Sequence, residues 1–123
     1  MASIAQVLIV LIALVHVYIL VLEMFLWRTR ARRIFGMTVE QAEATAVLAK
    51  NQGLYNGFLA AGLFWAHFSW HSGSADFVPR AVFFLVCVLC AGLYGAATAN
   101  KRILFVQALP AAVALIVLGL SLR

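Results

Sequence analysis

Four long apolar runs separated by short polar turns decide what this 123-residue chain can fold into. They cover about residues 4–27, 46–68, 80–98 and 103–120. Each run reaches or approaches the roughly 20 residues that an α-helix needs to cross a hydrocarbon core. Hydrophobic residues make up 66% of the chain, which is more apolar surface than a soluble domain of this size can bury. The sequence therefore predicts an all-α protein, an integral membrane four-helix transmembrane bundle.

The basic residues predict the orientation of these spans. Only Arg80 and Arg123 lie on one side of the predicted bundle. The other side holds seven basic residues, which are Arg28, Arg30, Arg32, Arg33, Lys50, Lys101 and Arg102. Because cytoplasmic loops carry an excess of Lys and Arg, both termini are predicted outside and both basic turns inside. Topology therefore accounts for the basic residues, and nucleic acid is not predicted as a partner.

The start of the second helix has a local signal. Thr38 and Gln41 have the spacing of a capping box, so Thr38 is predicted as the N-cap. Residues 38–46 are predicted to form an amphipathic cytoplasmic extension, and Pro110 is expected to disturb the fourth span. Since the sequence shows no linker or internal repeat, residues 1–123 are predicted to form a single transmembrane domain.

A carboxylate lies inside the first apolar run, at Glu23. Counting 1.5 Å per residue from Arg28 places it roughly 7 Å from the inner edge of the membrane. Every other span carries hydrogen-bonding side chains at a similar depth, and His16 lies two helical turns before Glu23. We predict an inner-leaflet ligand-binding site formed by His16, Glu23, Trp27, Asn51, Gln52, Tyr55, Asn56, Tyr94 and Gln107.

Three interpretations of Glu23 stay open from the sequence. It can serve as an acceptor or base in a binding or active site, because hydrocarbon cannot solvate its charge. It can belong to a polar clasp that fixes helix register. It can also reach toward the interface and pair with Arg28 or Arg30. His16 is either a hydrogen-bonded interior histidine or a partner of Glu23 in proton transfer or metal binding.

No metal site is predicted, and no cofactor is identified. His67 and His71 lie four residues apart, a spacing that suits a shared metal on the outer surface. Cys87 and Cys90 lie in the middle of a span and are interpreted as small packing residues.

Small residues form two stripes at helical spacing. Gly53 and Gly57 form one on the second span, and Ala91, Gly95 and Ala99 form the other on the third. Such stripes let backbones approach closely, either within the bundle or between protomers. A homo-oligomer is therefore a predicted assembly.

Several segments resemble a family of small bacterial four-span membrane proteins known as domain of unknown function number 1304. They are His16-Val-Tyr-Ile, Leu22–Trp27, Asn51–Ala60, Ala91–Gly95 and Val106-Gln107. The resemblance implies a multi-pass protein of the bacterial inner (cytoplasmic) membrane and no assigned activity. His67 and His71 are not part of the family pattern.

A looser architectural likeness is to the MAPEG superfamily of small four-span eicosanoid and glutathione enzymes. Size, orientation, the long basic first loop and the Asn-rich start of the second span are similar. The chain lacks the Arg and Glu neighbours that the superfamily places around that asparagine, since Asn51 is flanked by Lys50 and Gln52. Fold analogy alone does not give function.

The function predicted from the sequence is binding of a small amphipathic or lipid-like ligand around Glu23, with entry from the cytoplasmic leaflet. Membrane lipids are the predicted partners. The alternatives are a MAPEG-like membrane enzyme, in which Glu23 or Tyr94 acts on a lipophilic substrate, and a structural or oligomer-forming membrane protein.

Overall fold

The computed structural model describes residues 2–123, which form five α-helices and two short π-helical segments. The helices are α1 (Ala2–Met24), α2 (Arg32–Ile34), α3 (Val39–His71), α4 (Phe77–Thr98) and α5 (Leu109–Ser121). The π-helical segments cover Trp27–Ala31 and Leu104–Ala108. The all-α prediction is therefore confirmed for the described part of the chain.

Among the described residues, three helical stretches are long and apolar enough to cross a membrane. They are Ala2–Met24, Phe77–Thr98 and Leu104–Ser121. The 33-residue helix α3 is not among them, because polar side chains such as Asn51, Gln52 and Asn56 make it less apolar. Three of the four predicted spans thus correspond to candidate membrane helices.

The first span ends earlier than its apolar run predicts. Helix α1 ends at Met24, and the backbone departs from helical geometry at Leu26, where φ is −118° and ψ is 15°. A π-helical segment then begins at Trp27 and contains Arg28 and Arg30. Glu23 consequently lies in the last turn of α1.

The start of α3 confirms the predicted capping box. The Thr38 backbone N–H donates to Gln41 Oε1 at 2.9 Å, and the Gln41 N–H donates to Thr38 Oγ1 at 3.1 Å. Two backbone donors at the helix start are thereby satisfied, which fixes where α3 begins. Gly36 precedes this start with a φ of +64°, a left-handed conformation that favours glycine.

The predicted disturbance near Pro110 takes the form of the second π-helical segment. Pro110 lies in the first turn of α5, directly after Leu104–Ala108. A proline ring clashes with the carbonyl four residues earlier, here that of Val106. The wider π-helical turn gives this ring room, so the helical rod continues through the proline.

The chain divides into two compact units. Residues 2–13 and 61–123 form one unit, in which Ile9, Leu63, Leu85 and Leu118 are at most 1% exposed. Within it, a Cβ built on Gly92 would lie 2.7 Å from the backbone nitrogen of Ala108, so α4 closely contacts the π-helical segment before α5. Residues 14–60 form the other unit, whose buried residues are mostly small alanines together with Leu22 and His16.

Large apolar side chains point outward along the candidate spans. The exposed fractions of Val7, Leu11, Phe83 and Ile116 are 58%, 52%, 62% and 62%. Apolar exposure on this scale is unfavourable in water and marks surfaces that contact lipid or protein. The exposed apolar surface of these helices is therefore what a membrane protein would show.

Candidate functional site

Glu23 on α1 and Asn56 on α3 are hydrogen-bonded to each other within the unit formed by residues 14–60. Asn56 Nδ2 donates to Glu23 Oε2 at 2.9 Å, and it also donates to the backbone oxygen of Gln52 at 3.0 Å. Both side chains are partly buried. A charge-assisted hydrogen bond of this type stabilises a carboxylate that hydrocarbon would leave unsolvated.

Two glycines bring the backbone of α3 against α1 on either side of Asn56. A Cβ built on Gly53 would lie 2.6 Å from Met24 Cγ and 3.0 Å from Glu23 Cβ. A Cβ built on Gly57 would lie 2.5 Å from Leu20 Cδ1. This stripe therefore packs within the chain, and a homo-oligomer stays a prediction.

The Trp27 side chain is held beside α3 one turn beyond Glu23. Its indole Nε1–H donates to Thr45 Oγ1 at 3.0 Å, and Thr45 Oγ1 donates to the Gln41 backbone oxygen at 2.7 Å. The indole ring also lies 5.9 Å from the ring of Phe35. Sequence reasoning missed Thr45, because a threonine within a helix gives no signal of a distant partner.

Arg28 and Glu43 form an ion pair at the end of the helices that is predicted to face the cytoplasm. Arg28 Nε donates to Glu43 Oε2 at 2.6 Å, and Arg28 Nη2 donates to Glu43 Oε1 at 2.8 Å. The hydrogen bonds and the positive charge of Arg28 hold the pKa of Glu43 below its usual value, and the hydrogen bonds and the negative charge of Glu43 raise the pKa of Arg28. Both side chains are more than half exposed, so the pair contributes little to stability.

This ion pair contradicts one interpretation of Glu23. The described residues form two ion pairs, Arg28–Glu43 and Arg80–Asp76, and neither includes Glu23. The interpretation that Glu23 pairs with Arg28 or Arg30 is therefore wrong. The physical reason is that the Glu43 carboxylate on α3 forms a bidentate hydrogen-bonded pair with Arg28 at the exposed helix end.

The remaining predicted site residues of this unit differ in their burial. His16 is completely buried, two turns before Glu23. Asn51 and Gln52 are exposed, and Gln52 contributes its backbone oxygen. Tyr55 is 57% exposed with its ring 6.1 Å from that of Phe58.

Tyr94 and Gln107 belong to the unit that contains α4 and α5. Tyr94 is 73% exposed, and its backbone oxygen accepts from Thr98 Oγ1 at 2.8 Å. Gln107 is partly buried in the second π-helical segment. Their place in a shared site with Glu23 stays a prediction.

The predicted outer ends of the helices carry a second polar group of residues. His67 Nδ1 is hydrogen-bonded to Gln6 Oε1 at 2.8 Å, and the rings of His67 and His71 lie 4.6 Å apart. One ring nitrogen of His67 is thus engaged with the side-chain amide of Gln6 on α1.

Arg80 lines an open groove in the unit formed by residues 2–13 and 61–123. Its Nη1 donates to Ser69 Oγ at 2.5 Å, its Nη2 donates to Asp76 Oδ2 at 2.6 Å, and the guanidinium lies 4.1 Å from the Trp65 ring centre. The groove has a volume of about 460 Å³ and is lined by Trp65, Asp76, Pro79, Arg80, Phe83 and Phe84. Sequence reasoning missed this group. The i, i+4 spacing of Asp76 and Arg80 is the signal that could have found its ion pair.

The comparisons with known proteins agree with the resemblance seen in the sequence. A family model described as "Protein of unknown function (DUF1304)" matches residues 10–119, a range that includes Glu23 and Asn56. The chain is 38% identical over 109 residues to "Uncharacterized protein YpaA" of Lactococcus lactis subsp. lactis (strain IL1403). That alignment covers 86% of this chain and 88% of the relative. No solved structure matches the chain. The MAPEG likeness stays a prediction.

Proposed function

We propose that this chain, which belongs to the DUF1304 family of proteins of unknown function, binds a small amphipathic or lipid-like ligand at an inner-leaflet site around Glu23. The observation that carries the proposal is the hydrogen bond between Glu23 and Asn56 at the end of a candidate membrane span. An ionisable residue within a span is costly, and such residues mark ligand or ion sites. A few polar groups set in an apolar wall are also typical of ligand sites.

The membrane setting of this site is a bundle of four spans. At 1.5 Å per residue, the 33 residues of α3 extend about 50 Å, which exceeds the hydrocarbon core of about 30 Å. Phe58 and Phe68 on α3 are 56% and 63% exposed, as expected of side chains that face lipid. Length and exposed apolar surface thus support a membrane crossing by α3, although its amides make it less apolar.

The distribution of basic residues also supports a crossing by α3. If α1, α4 and α5 cross and α3 does not, the turns around Arg30 and Lys101 lie on opposite faces of the membrane. If α3 crosses as well, both basic turns lie on one face, in accord with the positive-inside rule. Both termini then lie outside the bacterial inner (cytoplasmic) membrane.

The test of the ligand site is Glu23→Gln, which keeps the shape of the side chain and removes its charge. Native mass spectrometry of protein purified in detergent measures co-purified lipid or metabolite, and thermal unfolding measures stability. We expect a bound species in the parent protein, its loss in Glu23→Gln and nearly unchanged stability. Glu43→Gln is the matched control, because it removes a carboxylate that the structure places in the ion pair with Arg28.

A polar clasp is the second candidate, and the close contact of Gly53 with Glu23 favours it. In that case the Glu23–Asn56 hydrogen bond only fixes the register of α1 against α3. A large loss of stability in Glu23→Gln, together with no bound species in the parent protein, would establish the clasp and overturn the ligand site.

A further inference from the structure

The atoms of Glu23 and Asn56 that remain free to form hydrogen bonds are acceptors. An amide nitrogen carries two N–H donors, and Asn56 Nδ2 directs them at Glu23 Oε2 and at the Gln52 backbone oxygen. The opposite amide orientation would place Asn56 Oδ1 against these two oxygens, so the donor assignment follows from chemistry. Among the described side chains, none donates a hydrogen bond to Glu23 Oε1 or Asn56 Oδ1. These two oxygens are therefore open to hydrogen-bond donors from a ligand.

The charge at this position also lacks a protein partner in the unit formed by residues 14–60. Arg28, five residues beyond Glu23, gives its Nε and Nη2 donors to Glu43. The hydrogen bond from Asn56 solvates the carboxylate but brings no positive charge. A carboxylate in a span is normally compensated by an opposite charge or by a proton.

We infer that the head group of the ligand is a primary ammonium, an inference that rests on the proposed function of this site. An ammonium group combines a positive charge with three N–H donors, so it can bind Glu23 Oε1 and Asn56 Oδ1 together. A hydroxyl head group offers one donor and no charge. A phosphate or carboxylate head group would place its negative charge beside the Glu23 carboxylate. Its oxygens would face two oxygens that are also acceptors.

The contacts of the glycines indicate the side from which such a ligand reaches Glu23. Gly53 and Gly57 leave no space for a ligand between the backbones of α1 and α3. The head group must then approach Glu23 from the exposed side of the helix pair. Exposed apolar side chains at the same level, such as Phe25 at 71% and Leu54 at 42%, offer surface for an aliphatic chain.

The experiment compares probes that share a dodecyl chain and differ only in the head group. Dodecylammonium, dodecyltrimethylammonium, dodecanol and dodecanoate are titrated into the full chain in neutral detergent, and bound probe is measured by native mass spectrometry. We expect dodecylammonium to bind the parent protein about tenfold or more tightly than dodecanol, since hydrogen bonds to charged groups are the stronger class. Dodecanoate should bind most weakly. Equal binding of dodecyltrimethylammonium would overturn the requirement for N–H donors.

Two variants and one control test whether the preference for dodecylammonium depends on Glu23 and Asn56. Glu23→Gln should bind dodecylammonium and dodecanol about equally. Asn56→Ala, which removes the other open acceptor, should reduce the preference for dodecylammonium, while Glu43→Gln should retain it. The ranking of the probes on the parent protein tests the inference even if a variant fails to fold.

The outcomes separate this inference from the proposed function. If dodecanol and dodecanoate bind the parent protein as tightly as dodecylammonium, and Glu23→Gln weakens all three, the ammonium head group is wrong and the ligand site stands. If no probe binds to saturation and no species co-purifies, both the ligand site and its ammonium selectivity are overturned.

Discussion

Gly53→Ala tests whether the close approach of α3 to α1 positions Glu23. The added Cβ would lie 2.6 Å from Met24 Cγ, 3.0 Å from Glu23 Cβ and 3.1 Å from the Met24 backbone nitrogen. These separations are well below the roughly 3.5–4.0 Å of a favourable contact between carbon atoms. The Met24 side chain can rotate away, but Glu23 Cβ and the Met24 nitrogen move only with the backbone of α1. The substitution should therefore push the two helices apart at the site.

The magnitude follows from two opposing effects. Overpacking of a buried contact costs about 1–3 kcal/mol. Alanine is favoured over glycine within a helix by about 0.5–1 kcal/mol, which offsets part of that cost. We expect the free energy of unfolding of Gly53→Ala to fall by about 1 kcal/mol.

Gly119→Ala is the matched control, because a Cβ at Gly119 in α5 would meet no atom within 4 Å. It should gain stability by about 0.5–1 kcal/mol from helix propensity alone. Denaturant titration in detergent, followed by far-ultraviolet circular dichroism, measures both variants against the parent protein. The reasoning is refuted if Gly53→Ala is as stable as Gly119→Ala, since the contact with Glu23 would then impose no constraint.

Three further predictions concern the ends of the helices. Thr38→Ala should lower the free energy of unfolding by about 1 kcal/mol, because the helix-start N–H groups lose their capping partner; the same denaturant titration measures it, and an unchanged midpoint would contradict the capping role. Since Arg28 lowers the pKa of Glu43 below its ordinary value of 4.5, the stabilisation from this pair is present above that value and lost as pH falls through the lower, folded-state pKa. The stability difference between the parent protein and Glu43→Gln should accordingly shrink on acidification, and a difference that grows would refute the pairing. In a cysteine-free background, Ser74→Cys in intact cells should react with a membrane-impermeant maleimide and Thr29→Cys should not; the reverse pattern would invert the proposed orientation.

Local signals in the sequence were enough to predict the helical architecture. Apolar runs of span length predicted three helices that the structure presents as candidate membrane spans, since crossing hydrocarbon depends on length and composition. The start of α3 followed from the spacing of Thr38 and Gln41, because a capping box involves groups only three residues apart. The end of α1 did not follow, because the turn at Leu26 interrupts a run whose composition still favours a helix.

The sequence by itself determined that Glu23 is a carboxylate inside a long apolar run, and it predicted polar side chains at a similar depth on the other spans. Depth follows from counting residues along a helix, but the rotation of each helix about its axis does not. Only the tertiary structure selected Asn56, 33 residues away, as the partner that donates to Glu23. It also assigned Arg28 to Glu43 instead of Glu23. The physical reason is packing, because Gly53 and Gly57 allow α3 to approach α1 on one face only, and that face carries Asn56 to the carboxylate.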